Sequence, residues 1–389
     1  MKIRQVEKLF AVVPAVLCCG LGVQLRISLK GNDRGTVVYR EKVITEEQAP
    51  LPEAYDLRQK QKAPEVKNQG SLGTCWAVAA SSALESVLKP QEKLVFSADH
   101  MSLLNSFSRE QNDGGDYTMV MAYLAGWQGP VLEKDDPYGD GVSDTSLSAV
   151  RHVQEMQMLE EKDYSAIKKA VYQYGAVQSS IYMDMENAFS SSVYYNQLNM
   201  SYNYPGEEKA NHDIIIIGWD DNYPAEKFNL HTDKDGAFIC QNSWGTEFGE
   251  DGIFYVSYED ANIGRNTIAY TDIESTDNYD HLYQTDLCGW VGQLGYGDGT
   301  CYFSNIFKAE REERIEAVGF YAVGPDTEYS ITVMDGEKDL SNALLGEVQA
   351  SGKLENAGYY TVQLDRAVEM EAQKKYAVVI KIHTPGESY

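Results

Sequence analysis

"QGSLGTCWAVAASSALES", residues 69–86, sets one cysteine between a glycine-bearing turn and an apolar run with helical spacing. The run continues as "CWAVAASSALESVLK" and is stopped by Pro90, so the spacing predicts a helix that begins at or beside Cys75. A cysteine so placed has three competing roles: nucleophile, disulfide partner, or small buried hydrophobe. Its partners must be sought along the rest of the chain.

The 389 residues are long for one core, and their 43% apolar and 24% charged content is ordinary for a globular protein. The formal net charge of −26 is not ordinary. Such a surface repels nucleic acid and anionic lipid, which excludes a nucleic-acid partner. Lys2, Arg4 and Lys8 precede an apolar stretch from Leu9 to Leu25, which fits an export signal. Pro14, Gly20 and Gly22 weaken a membrane helix there. Residues 1–26 are read as a signal peptide or a retained anchor, the one route to a membrane, and the protein as extracellular or surface-anchored. Of the six cysteines, Cys18 and Cys19 fall in that segment. Cys288 and Cys301 flank a glycine-rich stretch, and whether they pair is left open.

Residues 27–50 are charged and poorly periodic, and are read as a linker or short pro-segment. "DYSAIKKAVYQYG" is a second helix that feeds the strand "AVQSSIYM". Past Ala210 strands take over: "DIIIIGWDDN", β-branched and buried on both faces, then "GAFICQNSWG" and "GIFYVSYED". Helices first and strands later argue for an α+β domain of two halves, with a cleft where they meet. From about Asp286 five strands recur at short intervals, the pattern of an all-β sandwich. The domain limits are set at 51–275 and 285–389; the chain stops just after an apolar strand, so the sandwich is read as open to being incomplete.

A thiol attacks as the thiolate, so a nucleophilic Cys75 needs a helix N-terminus, an imidazolium, or both. Of the six histidines, His212 alone stands immediately before a buried strand that would fix its ring at a cleft. A histidine base needs a third group to hold its tautomer, and Asn242 in "CQNSWGTEFGEDG" is the candidate. Gln69, six residues before Cys75, can supply a side-chain amide to an oxyanion, beside the Cys75 backbone N–H. Gly73 allows close backbone approach at the turn.

Together, "VKNQGSLGTCWAVA", "NHDIIIIGWDDN" and "NSWGTEFGEDGIFYVSY" resemble papain-family (C1) cysteine peptidases in order, spacing and residue type, as does "LPEAYDLR" at the start. "NDGGDYTMVMAYLAGWQGPV" resembles the cleft segment of that family. The resemblance covers roughly residues 50 to 275. It implies a two-lobed fold, with a helical left lobe and a β-barrel-like right lobe. It also implies roles: Cys75 as nucleophile, His212 as base and leaving-group acid, Asn242 as the residue orienting His212, and Gln69 in the oxyanion hole. Trp244 would shield the His–Asn contact, and Gly114 and Gly115, with Gly73, would line the substrate cleft. The reaction implied is hydrolysis of polypeptides by an endopeptidase through a thioester, with no metal or organic cofactor. The sandwich resembles, less specifically, the C-terminal lectin-like domain of bacterial members, which implies a cell-surface glycan as partner.

The chain also departs from the family. Leu72 stands where many members have a cysteine, and Asp213 follows the histidine where a small residue is commoner. A carboxylate at Asp213 either acts on His212 or points away along the strand. Cys240 reads as a buried thiol. The acidic clusters "DGGD" and "EKDD" lack calcium-loop spacing and read as solvated loops. The competing reading is a surface adhesion or glycan-binding protein with an inert or secondary peptidase-like domain. The filled catalytic positions argue against it.

Overall fold

The computed structural model describes residues 24–29, 50–295 and 297–387. Among the described residues four α-helices fall in the first half of the molecule: α1 (Cys75–Leu88), α2 (Ala98–Leu103), α3 (Tyr117–Ala125) and α4 (Tyr164–Gln173). Among them and after them run β1 (Gln24–Leu29), β2 (Ala54–Asp56), β3 (His152–Met158), β4 (Val177–Ile181), β5 (Tyr195–Asn196), β6 (Ser201–Tyr202), β7 (His212–Asp220), β8 (Ala237–Gln241), β9 (Ile253–Ser257), β10 (Arg265–Glu274) and β11 (His281–Tyr283). The C-terminal part is built of strands, with one short 3-10 helix at Leu340–Leu345: β12 (Thr300–Lys308), β13 (Glu313–Ala322), β14 (Thr327–Asp335), β15 (Ala350–Leu354), β16 (Ala357–Met370) and β17 (Lys375–His383). The fold is α+β with an all-β C-terminal unit, as the sequence leads one to expect.

Helix α1 is the axis of the first unit. Every residue from Trp76 to Ser86 is buried, so the helix is sheathed on all sides by α2, α3, β7 and β10. Its polar groups are therefore satisfied internally. Ser81 Oγ donates to Val78 O, and the Glu85 carboxylate accepts from Lys67 Nζ (2.6 Å) and Phe96 N (2.8 Å). Strand β7 is buried from His212 to Trp219, which explains its unbroken run of isoleucines. It pairs with β4, β8 and β2. At Gly218 a Cβ would lie 2.1 Å from Tyr55 O, so only glycine lets β2 cross there.

The sandwich does not stand apart from the first unit. One sheet runs β11-β1-β13-β16-β3-β10-β4-β7-β8-β9-β6-β5, and a second packs as β12-β17-β14-β15. The bond between units is the pairing of β16 with β3, from Ala357 opposite Met158 to Tyr360 opposite Glu155. Each unit keeps its own apolar core, and Trp290 packs against both.

The stretch read as the end of an export segment and the start of a linker contains β1, inserted between β11 and β13. The rest of the proposed signal and linker, residues 1–23 and 30–49, lies outside the described residues. Arg26 is fully buried: its guanidinium donates to Tyr359 OH (2.6 Å) and Ala125 O (3.3 Å) and sits 4.7 Å from the Trp127 ring. Trp127 in turn stacks on His152. The Cys288–Cys301 bridge left open by the sequence is not formed. Cys288 Sγ contacts Ser106 O, and Cys301 is buried in the sandwich core.

Candidate active site

Cys75 is the first residue of α1. The N-cap, Thr74, makes no side-chain cap; its hydroxyl is instead 2.5 Å from Tyr138 OH. Ala77 N donates to Thr74 O (3.0 Å), and the amides of Cys75 and Trp76 stay available for a charge at the thiol or a bound oxygen. The backbone N–H dipoles of Asp213, Trp76 and Cys75 itself favour the charged form of the sulfur. Burial and the nearby Asp213 carboxylate outweigh them and push the thiol up to about 12.

His212 opens β7, opposite Ile181 of β4. Its Nε2 lies 2.7 Å from Asn242 Oδ1. Ser243 N donates to the same Oδ1 (2.8 Å), which fixes the amide with its oxygen toward the ring. An oxygen there only accepts, so Nε2 carries the hydrogen and Nδ1 is the basic nitrogen. The Trp244 ring is 5.1 Å from the imidazole, centroid to centroid, and is buttressed edge-on by Phe248. Burial pushes His212 down to about 4, against the Asn242 bond, which raises it. Burial therefore opposes charge on the thiol or the imidazole alone.

Gln69 is held from three sides. Its N–H donates to Ser243 O (2.8 Å), its Oε1 accepts from Ser243 Oγ (2.5 Å), and its carbonyl accepts from Tyr138 OH (2.9 Å). One Nε2 hydrogen goes to Leu72 O (2.8 Å), leaving the second for a ligand oxygen. Asn68 bridges Trp244, and Gly245 N donates to Lys67 O. The oxyanion candidate and the histidine's orienter therefore sit on two paired segments. No local sequence pattern marks Tyr138 or Lys67. For Ser243 the adjacency to Asn242 was the available signal.

The glycines behave differently from one another. A Cβ on Gly73 would lie 2.9 Å from Gln111 O and 3.1 Å from Gly114 N, so this glycine lets the loop before Cys75 press on the Gly114 loop. Gly114 has a φ of +74°, which suits glycine. A Cβ on Gly115 would lie 2.4 Å from the Trp76 ring, so Gly115 packs on the indole behind Cys75.

Asp213 does not point away along the strand. It is buried on the side of β7 that faces β4 and α1, bonded to Ser180 and Gln178. Cys240 is a buried free thiol, as expected, and burial pushes it well up.

Residues 51–273 match the family model of papain family cysteine proteases, and residues 282–389 match that of a lectin like domain. Cathepsin K of Mus musculus is 27% identical over 212 residues, covering 52% of this chain and 58% of the relative. Cathepsin S of Bos taurus is 27% identical over 223 residues, covering 54% and 62%. The chain thus matches less than two thirds of the length of these curated relatives. Among solved structures, a clostridial cysteine protease, Cwp84 after propeptide cleavage, superposes with a TM-score of 0.74 at 25% identity, covering 86% of each chain. The structure of the cysteine protease and lectin-like domains of Cwp84, a surface layer associated protein of Clostridium difficile, gives 0.73 at 24% identity, with 87% and 78% covered.

Proposed function

The chain belongs to the papain family of cysteine proteases, and from that premise we propose that it is an exported endopeptidase working through a Cys75 thioester. The observation that carries the reading is the His212–Asn242 contact, with Ser243 N fixing the amide and Gln69 held on the same segment. Cys75 Sγ attacks the peptide carbonyl as its proton passes to His212 Nδ1. The carbonyl oxygen gains charge and is met by Gln69 Nε2 and the Cys75 N–H. His212 returns the proton to the departing amine, and the C–N bond breaks to leave a thioester. Water, deprotonated by the same Nδ1, then hydrolyses the thioester and restores the thiol.

Gly114 and Gly115 are proposed to meet substrate backbone, and Trp244 to keep water off the His–Asn bond. Export is supported by Lys2, Arg4 and Lys8 ahead of the apolar run. A solved relative, Cwp84, is described as surface layer associated, which fits a surface location. Strand β1 argues that any cleaved signal ends before Gln24. The lectin-like unit makes a surface glycan a candidate partner.

The test is cleavage of an unstructured polypeptide under reducing conditions, with Cys75→Ala folded but inactive. Equal cleavage by both proteins refutes the assignment. The product pattern from a long peptide separates internal from terminal cleavage.

A further inference from the structure

The carboxylate of Asp213 takes no part in the steps above, yet it is fixed beside the nucleophile. Its Oδ1 accepts from Ser180 Oγ (2.6 Å) and its Oδ2 from Gln178 Nε2 (2.8 Å). Gln178 is itself held, its Oε1 accepting from Tyr270 OH (2.9 Å). The same Gln178 Nε2 lies 3.4 Å from Trp76 O, the carbonyl next after Cys75. Gln178 thus ties the Asp213 carboxylate to the backbone next to Cys75, and the charge of that carboxylate bears on the sulfur.

Both hydrogen-bond partners of the carboxylate are neutral. The titratable groups that bear on it from the packed elements are Cys75 on α1, Asp116 and Tyr117 at the start of α3, and Tyr270 on β10, with His212 adjacent on β7. Asp116 adds a second negative charge. A thiolate at Cys75 would thus form against a like charge.

We propose that Asp213 tunes the nucleophile: its ionised carboxylate disfavours the Cys75 thiolate, and uptake of a proton by Asp213 lifts that opposition. The inference rests on Cys75 being the nucleophile, as proposed above. Asp213 acts through Cys75 and is a positioning residue, not a catalytic one. Burial raises its carboxyl to about 6, so its charge changes in the mildly acidic range. The proposal offers a restraint at neutral pH that is built into the site itself.

The test is the pH dependence of Cys75 alkylation by iodoacetamide in the full chain. Mass spectrometry of the Cys75 peptide keeps Cys240, Cys288 and Cys301 out of the signal. In Asp213→Asn the amide nitrogen can donate to Ser180 Oγ while the oxygen still accepts from Gln178. Asp213→Ser, smaller and also neutral, is the second variant in case the first does not fold. Both should lower the alkylation midpoint by on the order of one pH unit, about tenfold more thiolate at a fixed pH below it. A structural role alone slows alkylation at every pH, or lowers the melting temperature, with the midpoint unmoved. Midpoints coinciding with wild type overturn the proposal even if wild type cleaves polypeptide. Shifted midpoints in a protein that cleaves nothing support the tuning and overturn the peptidase reading.

Discussion

Lys67→Met should destabilise the protein by about 3 kcal/mol at neutral pH, near the low end for breaking a buried ion pair. Lys67 Nζ donates to Glu85 Oε1 (2.6 Å), Phe96 O (2.8 Å) and Ser81 Oγ (3.1 Å). Glu85 is 1% exposed at its side chain and Lys67 15%, so the pair is largely dry. Burial already raises the Glu85 carboxyl against the opposing pull of Lys67. Without the ammonium, Glu85 must either stay charged and unpaired or take up a proton. A carboxyl raised in the folded state contributes stability that is full below its unfolded value and lost as pH rises. The deficit of the variant should therefore shrink between pH 7.5 and pH 5.5. Urea unfolding followed by tryptophan fluorescence, in a Cys75→Ala background to prevent self-cleavage, measures both. Adding Glu85→Gln should recover part of the loss at pH 7.5, since the amide oxygen can still accept from Phe96 N. A cost below about 1 kcal/mol, typical of an exposed pair, would refute the reasoning. Activity should fall as well, because Lys67 leads directly into Asn68 and Gln69.

Tyr138→Phe removes the hydroxyl that joins Thr74 to the Gln69 carbonyl; kcat on a peptide substrate should fall about tenfold with KM little changed, the equivalent of about one lost hydrogen bond. Gly115→Ala places a methyl 2.4 Å from the Trp76 ring; overpacking should cost about 1–3 kcal/mol in urea unfolding and depress kcat/KM. Asp213→Asn should change stability in a pH-dependent way. The folded carboxyl binds its proton more tightly than the unfolded one, at about 6 against 3.8, so the wild type loses stability as pH rises through that window. Relative to wild type the variant should gain about 2–3 kcal/mol between pH 3.5 and pH 8, read by chemical unfolding at each pH.

Much of this molecule is written locally. The isoleucine run of β7, the alanine-rich α1 and five of the six later strands each carry a local signal and form close to where it places them, while β15 has no such signal. Cys75, His212 and Asn242 stand out as candidates because each sits at the edge of such an element. What local pattern does not carry is partnership across the chain. "QLRISL" alternates polar and apolar residues, a strand signal hidden at the end of an apolar run. Its partners, β11 and β13, lie far down the sequence, and a shift in register at Arg26 and Ile27 breaks strict pairing. Strand β3, "HVQEMQM", has a single β-branched residue and gains its order from β10 and β16. The hold on Gln69 escaped for the same reason. Tyr138 and Ser243 meet it only once the loops are folded together.

The shared pairing of β3 with β16 has a practical consequence for anyone cutting the molecule in two. A fragment ending near residue 275 would bare the β3 edge, with the main-chain groups of Glu155–Met158 losing the strand that covers them. Such an open margin invites other chains to add on, and it lies one strand from β10, which packs against α1. The C-terminal unit is in this sense a selvedge that keeps the peptidase sheet from unravelling into aggregates.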